Sequence, residues 1–228
     1  MAEGGNAREP AAEAAESAPQ RLADWLARLG GPVREQAVQG LRELGAVDQA
    51  VYDAVAATPT PALDEPLRRL SNAANNSRLW LAIAAGMALA GGGAGRRAAV
   101  RGVAAIGVTS ALVNLPGKAI WSRPRPDRAA AGVPEDRNVK MPASASFPSG
   151  HAASGFAFAA AVGYDQPWLG GLLRFLAATV AYSRVHTGVH YPGDTVVGAL
   201  IGAGTGQAVA GLTERLPATR RLLEDISR

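Results

Sequence analysis

A stretch near the C-terminus decides the fold class: residues 195–213 read TVVGALIGAGTGQAVAGLT and contain no charged side chain over 19 positions. A helix needs about 20 mostly apolar residues to cross the hydrocarbon layer of a membrane. Glycine and alanine are frequent in the stretch, and such small residues let neighbouring helices approach closely. The stretch therefore predicts a membrane-spanning helix that packs tightly within a bundle.

Four more segments of the same character precede this stretch. Three carry no charge and the fourth carries only Arg174; the segments are residues 79–95, 102–117, 152–164 and 166–182. Five such segments exceed the usual need of a soluble core. We therefore expect an all-α fold, a multi-pass bundle of about five to six helices in the cell membrane. A soluble bundle with buried helices is the alternative.

The remaining regions differ in composition from this bundle, which we place at residues 78–214. Residues 1–19 are rich in Ala, Glu, Ser and Pro and predict a disordered tail. Residues 20–77 predict amphipathic helices, and residues 215–228 a C-terminal tail. The expected N-terminal helices are residues 20–29, 33–45, 48–57 and 62–75. They are either plain surface helices or helices that lie on a membrane or cover a site.

Composition excludes several classes of function. The chain has no cysteine, which excludes disulfides and thiolate metal sites, and only three histidines. Its net charge of +4 fits an anionic lipid or a phosphate-bearing substrate. Nucleic acid is a poor candidate, because the basic residues do not alternate with aromatic residues that could stack on bases. Residues 1–20 also lack the basic-then-apolar pattern of a secretory signal, so none is expected.

Three polar stretches between the apolar segments contain the side chains that can bind a ligand or take part in a reaction. They read KAIWSRPRP at residues 118–126, FPSGH at 147–151 and SRVHTGVHYPGD at 183–194. The first contains Lys118 seven residues before the pair Arg125-Pro126, and Arg123-Pro124 is a second such pair at a different spacing. The second and third lead directly into apolar helices. All three histidines of the chain lie in the last two stretches.

Together these residues favour a site for a tetrahedral oxyanion. Lys118, Arg125 and Arg184 are three cations that need an anion at the mouth of a low-dielectric bundle. Ser149 and Gly150 lie at a predicted helix start, where free backbone N–H groups and the helix dipole favour negative charge. Singly, Lys118 could also be a membrane-interface anchor and Ser149 an ordinary helix cap.

Two of the histidines can take different roles in the hydrolysis of a phosphate ester, one as the nucleophile and the other in proton transfer. Asp194 follows His190 by four residues, so its carboxylate can keep one ring nitrogen protonated and leave the other free to attack. His151 can protonate the leaving oxygen and later activate water. Asp194 could instead be only an N-cap of the last helix. No metal ion or other cofactor is required by this scheme.

The three stretches, in this order, resemble the type 2 phosphatidic acid phosphatase (PAP2) superfamily, which also includes vanadium haloperoxidases and bacterial acid phosphatases. The spacings Lys-x6-Arg-Pro, Pro-Ser-Gly-His and Ser-Arg-x5-His-x3-Asp match at every defining position. The resemblance implies a helical bundle and a phosphohistidine mechanism, with His190 as nucleophile, His151 as acid and base, and Asp194 as the residue that orients His190. The phosphate-binding residues it implies are Lys118, Arg125, Ser149, Gly150 and Arg184.

The resemblance leaves other residues and properties open. His186 lies outside the defining positions, and we expect it to stand behind the site or to touch the substrate. Short antiparallel connections would bring all three motifs to one face of the membrane. The side of that face is open: the long polar N-terminus favours the cytoplasm, whereas the arginines of the opposite face argue against it, namely Arg96, Arg97, Arg101, Arg215, Arg220 and Arg221. Oligomeric state is open too.

The predicted substrate is an amphiphile whose phosphate enters the bundle mouth while its tails stay in lipid. Candidates are phosphatidic acid, phosphatidylglycerol phosphate, a polyprenyl phosphate or diphosphate, and a decaprenyl-linked phosphosugar. Residues 127–147 form a polar loop that is expected to shape headgroup choice. The competing functions are a vanadium-dependent haloperoxidase, in which the same cradle would bind vanadate, and a non-catalytic membrane protein.

Overall fold

The computed structural model describes residues 30–114 and 123–226, and this part of the chain is helical with no strand. The expected tail 1–19, the expected helix 20–29 and Lys118 lie outside the described residues. The α-helices are α1 (Gly31–Ala57), α2 (Pro61–Ala73), α3 (Arg78–Ala90), α4 (Gly92–Leu112), α5 (Gly150–Asp165), α6 (Pro167–His186), α7 (Pro192–Arg215) and α8 (Pro217–Ile226).

Helix α5 lies at the centre of the bundle and packs against α4, α6 and α7. Most of its buried side chains are small, with alanines 152, 153, 157, 159, 160 and 161 all buried. Its largest buried side chain, Phe158, packs against Trp80 of α3 with ring centroids 5.8 Å apart. The core around α5 therefore consists mainly of small side chains, with a few large aromatic side chains packed beside them.

Three glycines explain how closely α7 approaches α5. Gly198, Gly202 and Gly206 recur every four residues on one face of α7, so they form a stripe along the contact. A Cβ atom at any of them would collide with a backbone carbonyl of α5 or of its N-cap, namely that of Ser149, Ala153 or Ala157. Only glycine permits this backbone approach, which fixes the two polar helix starts beside each other.

The N-terminal helices differ from the expected pattern in one respect. The prediction of two separate helices, 33–45 and 48–57, is wrong, because Gly31–Ala57 is one continuous helix. Gly45 interrupts the sequence pattern, but a glycine inside a helix costs only about 1 kcal/mol and does not end it. Tyr52 and Ala56 of this helix are buried and pack with Val185 and Val133, so α1 lies against the bundle rather than apart from it.

Two boundaries of the bundle also differ from expectation. The apolar segment 79–95 is not one helix: α3 ends at Ala90, and Gly92 adopts a positive φ of 58° before α4 continues. The expected C-terminal tail contains α8, whose Leu223 is 3% exposed. A short amphipathic helix such as α8 is hard to tell from a tail by composition alone.

Within the described residues, one helix is both long and apolar enough to cross a membrane, α7 with 24 residues. The expected spans in α3 and α5 have only 13 and 16 residues. Large apolar side chains nevertheless face outward around the bundle; Leu89 is 89% and Phe175 is 76% exposed. This apolar belt consists of Leu81, Leu89, Val100, Val103, Val108, Leu112, Leu172, Phe175, Val196, Leu200 and Leu212. Surface of this extent usually faces lipid or a partner.

A buried ion cluster lies where α5 and α7 end, and its arginine comes from the middle of α4. Arg101 is 1% exposed and donates to Asp165 of α5 over 2.7 Å and to Glu214 of α7. Its guanidinium also lies 5.1 Å from the ring centroid of Tyr164. Arg101 therefore links α4, α5 and α7 through ion pairs and does not act as a free positive charge at a membrane surface.

Candidate active site

A polar cavity of about 230 Å³ opens at the opposite end of the bundle from Arg101. It lies where α3 and α5 begin, where α4 ends and where the link between α6 and α7 passes. Its lining includes Asn76, Ser77, Ser110, Asn114, Arg125, Gly150, His151 and His190. Because neighbouring helices run antiparallel, all three sequence motifs reach this opening, and their lining residues are Arg125, Gly150, His151 and His190.

His190 lies in the α6–α7 link and is 2% exposed. Its Nδ1 atom faces the interior, 3.5 Å from Asp194 Oδ2 and 3.3 Å from Ser146 Oγ. Its Nε2 atom faces Arg125, whose Nη1 is 3.3 Å away. The ring thus presents one nitrogen to a buried carboxylate and the other to a cation at the cavity.

Ser146 determines the tautomer of His190. The Ser146 hydroxyl has a single proton, which it donates to the acceptor-only carboxylate of Asp194 over 2.5 Å. Towards His190 the same oxygen can then only accept, so Nδ1 must carry the hydrogen. A neutral ring with its proton on Nδ1 has its lone pair on Nε2, the nitrogen that faces the cavity.

Burial also keeps the His190 ring neutral. The pKa of His190 is lowered from about 6.5 to about 4, chiefly by removal from water and also by the nearby charges of Arg125 and Arg184. The hydrogen bond with Asp194 acts in the opposite direction. At neutral pH the imidazole therefore has the free electron pair that a nucleophile needs.

Asp194 is fully buried in the first turn of α7, and its carboxylate accepts hydrogen bonds from several donors. It accepts from the Tyr191 backbone N–H over 2.9 Å and from Arg123 Nη1 over 3.0 Å, besides Ser146. The interpretation of Asp194 as the N-cap is wrong, because Tyr191 is the N-cap and Asp194 is the third helical residue, which bonds back to it. Asp194 thus stabilises the helix start and orients His190 with the same carboxylate.

His151 lines the same cavity from the first turn of α5. Its Nε2 atom lies 2.9 Å from Oδ1 of Asn75, which belongs to the short helical turn Asn75–Ser77 between α2 and α3. Asn76 and Ser77 in this turn adopt positive φ angles of 52° and 58°. Such angles are costly for residues other than glycine and often occur at functional sites. An amide oxygen as partner means that Nε2 of His151 carries a proton.

Arg125 is the described cation that lines the cavity at His190. Its guanidinium donates to three backbone carbonyls: Nη1 to Val189 over 2.7 Å, Nε to Ser144 over 2.9 Å and Nη2 to Ala145 over 3.2 Å. Burial lowers the pKa of Arg125 below its ordinary value. The guanidinium plane is therefore fixed before any anion arrives, which favours binding of a phosphate oxygen in one geometry.

Arg184 and Lys118 complete the predicted set of cations. Arg184 is 1% exposed near the end of α6, and its Nη1 donates to Ser71 of α2 over 2.5 Å. Its Nε atom has no partner among the described residues. Arg184 is thus a buried charge that acts on His190, its Nε donor is available, and it is absent from the described cavity lining. Lys118 lies in the segment that the structure does not describe.

Ser149 and Gly150 have different positions at the start of α5. The Ser149 side chain is fully buried and caps the helix by accepting from Ala152 N at 3.5 Å. Gly150 lines the cavity, where the N–H groups of the first helical turn lack intrahelical acceptors. Of the two residues predicted to bind phosphate, Ser149 therefore caps the helix and Gly150 borders the cavity.

His186 lies in a separate polar network. Its Nε2 atom is 2.9 Å from Thr60 Oγ1 and 3.1 Å from Asp64 Oδ1, both at the start of α2. Arg137 of the loop 127–147 joins the same two residues and is fully buried. This network ties the N-terminal helices to the loop, and His186 is absent from the described cavity lining.

Residues that motif spacing did not single out complete the site. Ser146, Arg123 and Asn75 contact the predicted catalytic side chains directly. Ser146 lies three residues before Ser149, so proximity to a motif was its only sequence signal, whereas Arg123 was visible as the first of the two Arg-Pro pairs. Within the described residues, no three His, Asp or Glu side chains converge as a metal-binding group.

Comparison with known proteins places this geometry in a family. Residues 98–216 match the sequence model of the PAP2 superfamily. The chain is 40% identical over 92 residues to the decaprenylphosphoryl-5-phosphoribose phosphatase of Mycobacterium tuberculosis, covering 40% of this chain and 49% of that protein. It thus spans about half the length of this relative.

Two further proteins extend the likeness over more of the chain. The enzyme of the same name from Mycolicibacterium smegmatis is 37% identical over 131 residues, covering 58% of this chain and 68% of that protein. The crystal structure of a transmembrane PAP2-type phosphatidylglycerolphosphate phosphatase from Bacillus subtilis superposes with a TM-score of 0.58 at 24% identity. That match covers 87% of this chain and 97% of the other, and it shows a shared fold.

Proposed function

This chain belongs to the PAP2 superfamily, and we propose that it is a membrane phosphatase that hydrolyses a lipid phosphate through a phosphohistidine on His190. The observation that carries the proposal is the orientation of one ring. His190 Nδ1 faces Ser146 and Asp194, whereas Nε2 faces Arg125 and the cavity. That orientation is the one an in-line attack on phosphorus requires.

In the first step, the Nε2 lone pair attacks the phosphorus atom and the bond to the ester oxygen breaks. His151 acts as an imidazolium: its Nε2 proton passes to that oxygen, which leaves as an alcohol, and the His151 ring becomes neutral. Arg125, Arg184, Lys118 and the backbone at Gly150 stabilise the charge on the three equatorial oxygens. The carboxylate of Asp194 offsets the positive charge that develops on the phosphorylated ring.

In the second step, water attacks the phosphohistidine. His151, now neutral at Nε2, takes a proton from that water, whose oxygen bonds to phosphorus. The nitrogen–phosphorus bond breaks, and its electron pair returns to His190 Nε2. Inorganic phosphate leaves, and both histidines regain their starting protonation states. No metal ion takes part in either step of this proposal.

The proposed substrate is a phosphate attached to a long apolar group, and the enzyme is a multi-pass protein of the cell membrane. The outward-facing apolar belt supports membrane insertion, and the polar cavity opens at one end of the same bundle. A headgroup can enter this opening while its tail remains among the exposed side chains of the belt. The relatives from Mycobacterium tuberculosis and Mycolicibacterium smegmatis are named as phosphatases of decaprenylphosphoryl-5-phosphoribose, so this substrate class comes first for testing.

A phosphate-release assay on detergent-solubilised lipid phosphates, run without added metal, tests the function. The panel contains a polyprenyl phosphosugar, a polyprenyl diphosphate, phosphatidic acid and phosphatidylglycerol phosphate. We expect release from at least one lipid, inhibition by vanadate and no loss with EDTA. His190→Gln should abolish release, whereas Arg174→Gln on the exposed face of α6 should not. Full activity of His190→Gln, or no release from any lipid, contradicts the proposal.

A further inference from the structure

An acidic residue of the N-terminal helix reaches the site from outside the family-matched region. Asp48 shares one face of α1 with Tyr52 and Ala56, at intervals of four residues. This face packs on the bundle: Tyr52 is 1% exposed and lies edge-on to the Tyr191 ring at 5.3 Å. The family match begins only at residue 98, so α1 lies outside the residues that the sequence model covers.

Both oxygens of the Asp48 carboxylate have partners that lead to Asp194. Oδ2 lies 2.6 Å from Arg123 Nη1, and Oδ1 accepts from the Gly193 backbone N–H over 2.6 Å. The side chain is only 12% exposed. A Cβ atom at Gly193 would lie 3.2 Å from the carboxylate, so the missing side chain gives Asp48 room. Asp48 thus binds the first turn of α7 beside the residue that orients His190.

Arg123 connects the two carboxylates. The same Nη1 atom that contacts Asp48 lies 3.0 Å from Asp194 Oδ1, and the guanidinium stacks 3.9 Å from the centroid of the Tyr191 ring. Three charges of alternating sign therefore lead from α1 to His190, in the order Asp48, Arg123, Asp194. Without Asp48, the positive charge of Arg123 would act on Asp194 alone.

We propose that Asp48 is a positioning residue for the Asp194–His190 pair and that α1 is part of the catalytic unit. Asp48 neutralises Arg123 and fixes it, so that Arg123 offsets less of the Asp194 charge and that charge acts more fully on the phosphorylated His190 ring. This inference rests on the proposed function, because it concerns the support of the same nucleophile. Asp48 is absent from the described cavity lining, so substrate binding should not depend on it.

A purely structural role for Asp48 predicts a different ranking of variants. Asp48→Asn has the same shape and can still accept from Gly193, but it lacks the charge. Asp48→Glu keeps the charge but is longer than a 2.6 Å contact allows without adjustment. If Asp48 only tethers α1, the asparagine variant is the better tolerated; if its charge supports Asp194, the glutamate variant is the more active.

The test measures kcat and KM of the full-length protein in detergent, with the best lipid substrate of the panel. Active sites are counted by vanadate titration, so that unfolded protein does not lower the apparent kcat. We expect Asp48→Asn to lower kcat about tenfold at unchanged KM, and Asp48→Glu to recover part of the loss. Asp53→Asn is the matched control, because it removes one carboxylate from the exposed face of the same helix.

Arg123→Gln provides a second, independent measurement. If Asp48 acts through Arg123, then Asp48→Asn should change kcat less than twofold in the Arg123→Gln background, because the charge to be neutralised is gone. Equal losses in both backgrounds would overturn the proposal. So would wild-type kcat in Asp48→Asn, or an asparagine variant that is more active than the glutamate variant.

The outcomes also separate this inference from the proposed function. If the wild-type chain and Asp53→Asn release phosphate and Asp48→Asn matches them, only the role of Asp48 falls. If the wild-type chain releases phosphate from no lipid, the proposed function fails and this inference fails with it.

Discussion

The Ser146 hydroxyl lies 2.5 Å from Asp194 Oδ2 and bridges, through the same oxygen, to His190 Nδ1 at 3.3 Å. Ser146 and Asp194 are 48 residues apart in sequence and come together where the start of α5 meets the start of α7. The contact makes the direction of each hydrogen bond unambiguous. The packing of the start of α5 against the start of α7 therefore determines which nitrogen of His190 carries the proton.

Ser146→Ala should lower kcat without preventing folding. The variant removes the described hydroxyl that requires Nδ1 to carry the proton, and the direct distance of 3.5 Å from Nδ1 to Asp194 is long for a hydrogen bond. A ring that spends time in the other tautomer has its lone pair away from phosphorus. We expect kcat to fall by about a hundredfold at nearly unchanged KM, measured by phosphate release.

The control for Ser146→Ala is Thr179→Ala, which deletes a hydroxyl that only bonds within its own helix, to Phe175 O. Its kcat should equal that of the wild-type chain. If Ser146→Ala retains full kcat while remaining folded, the tautomer is determined by Asp194 alone and the bridging role of Ser146 is wrong.

The pH dependence should show an unusually acidic limb. His190 attacks only when neutral, and its pKa is lowered to about 4 by burial. The plot of log kcat/KM against pH should therefore keep the His190 limb near pH 4 rather than near 6.5. The limb belongs to the free protein, so it must recur with two substrates whose phosphates differ in pKa. A limb near 6.5 with both substrates would contradict the burial argument.

The same shift in the His190 pKa predicts a change in stability with pH. Between about pH 6.5 and pH 4 the unfolded chain binds a proton at His190 and the folded chain does not. The contribution of neutral His190 to folding is thus fully present above pH 6.5 and is lost as the pH falls towards 4. The Tm of the wild-type chain should therefore fall relative to His190→Gln across this window. Parallel Tm curves would exclude the shift.

The glycine stripe of α7 should be essential for packing. A Cβ atom at Gly202 would overlap the backbone oxygen of Ala153, and neither backbone can move without separating α5 from α7. Gly202→Ala should therefore lower stability by about 1–3 kcal/mol, seen as a lower Tm in detergent. Gly204→Ala is the matched control, because a Cβ atom there meets nothing within 4 Å. Equal Tm values for the two variants would refute the close approach.

The sequence predicted the parts of the site that depend on local spacing. His190 and Asp194 are four residues apart on either side of a helix start, and Ser149 to His151 form the start of another, so pattern alone placed them correctly beside polar helix ends. The all-α bundle followed from uncharged segments rich in Gly and Ala. These features depend on residues that are close together in the sequence, so sequence patterns are sufficient to predict them.

The partners of these residues could not be predicted in the same way. Asn75 meets His151 across 76 residues, and Asp48 meets Gly193 across 145. Such pairs depend on how α1 and α2 dock on the bundle, which hydrophobic spacing does not specify. Arg137 shows the same limit: it lies in a polar loop by composition, yet it is fully buried because five acceptors of the N-terminal region surround it.

Helix lengths were predicted less well for a physical reason. The uncharged segment 79–95 passes through Gly91 and Gly92, and the positive φ of Gly92 ends one helix and begins the next without any polar residue. The 27-residue helix α1, in contrast, runs through Gly40 and Gly45, which have helical surroundings and open space around them. Glycine permits both outcomes, and packing decides between them.

Chemical trapping of the intermediate tests the central claim most directly. The wild-type chain and His151→Ala are mixed with 32P-labelled p-nitrophenyl phosphate, whose leaving group needs no acid, and are quenched in base, where phosphohistidine survives. Peptide mapping should find the label on His190, at a higher level in His151→Ala because water is no longer activated, and none in His190→Gln. Label on another residue, or turnover by His190→Gln without label, would contradict the account.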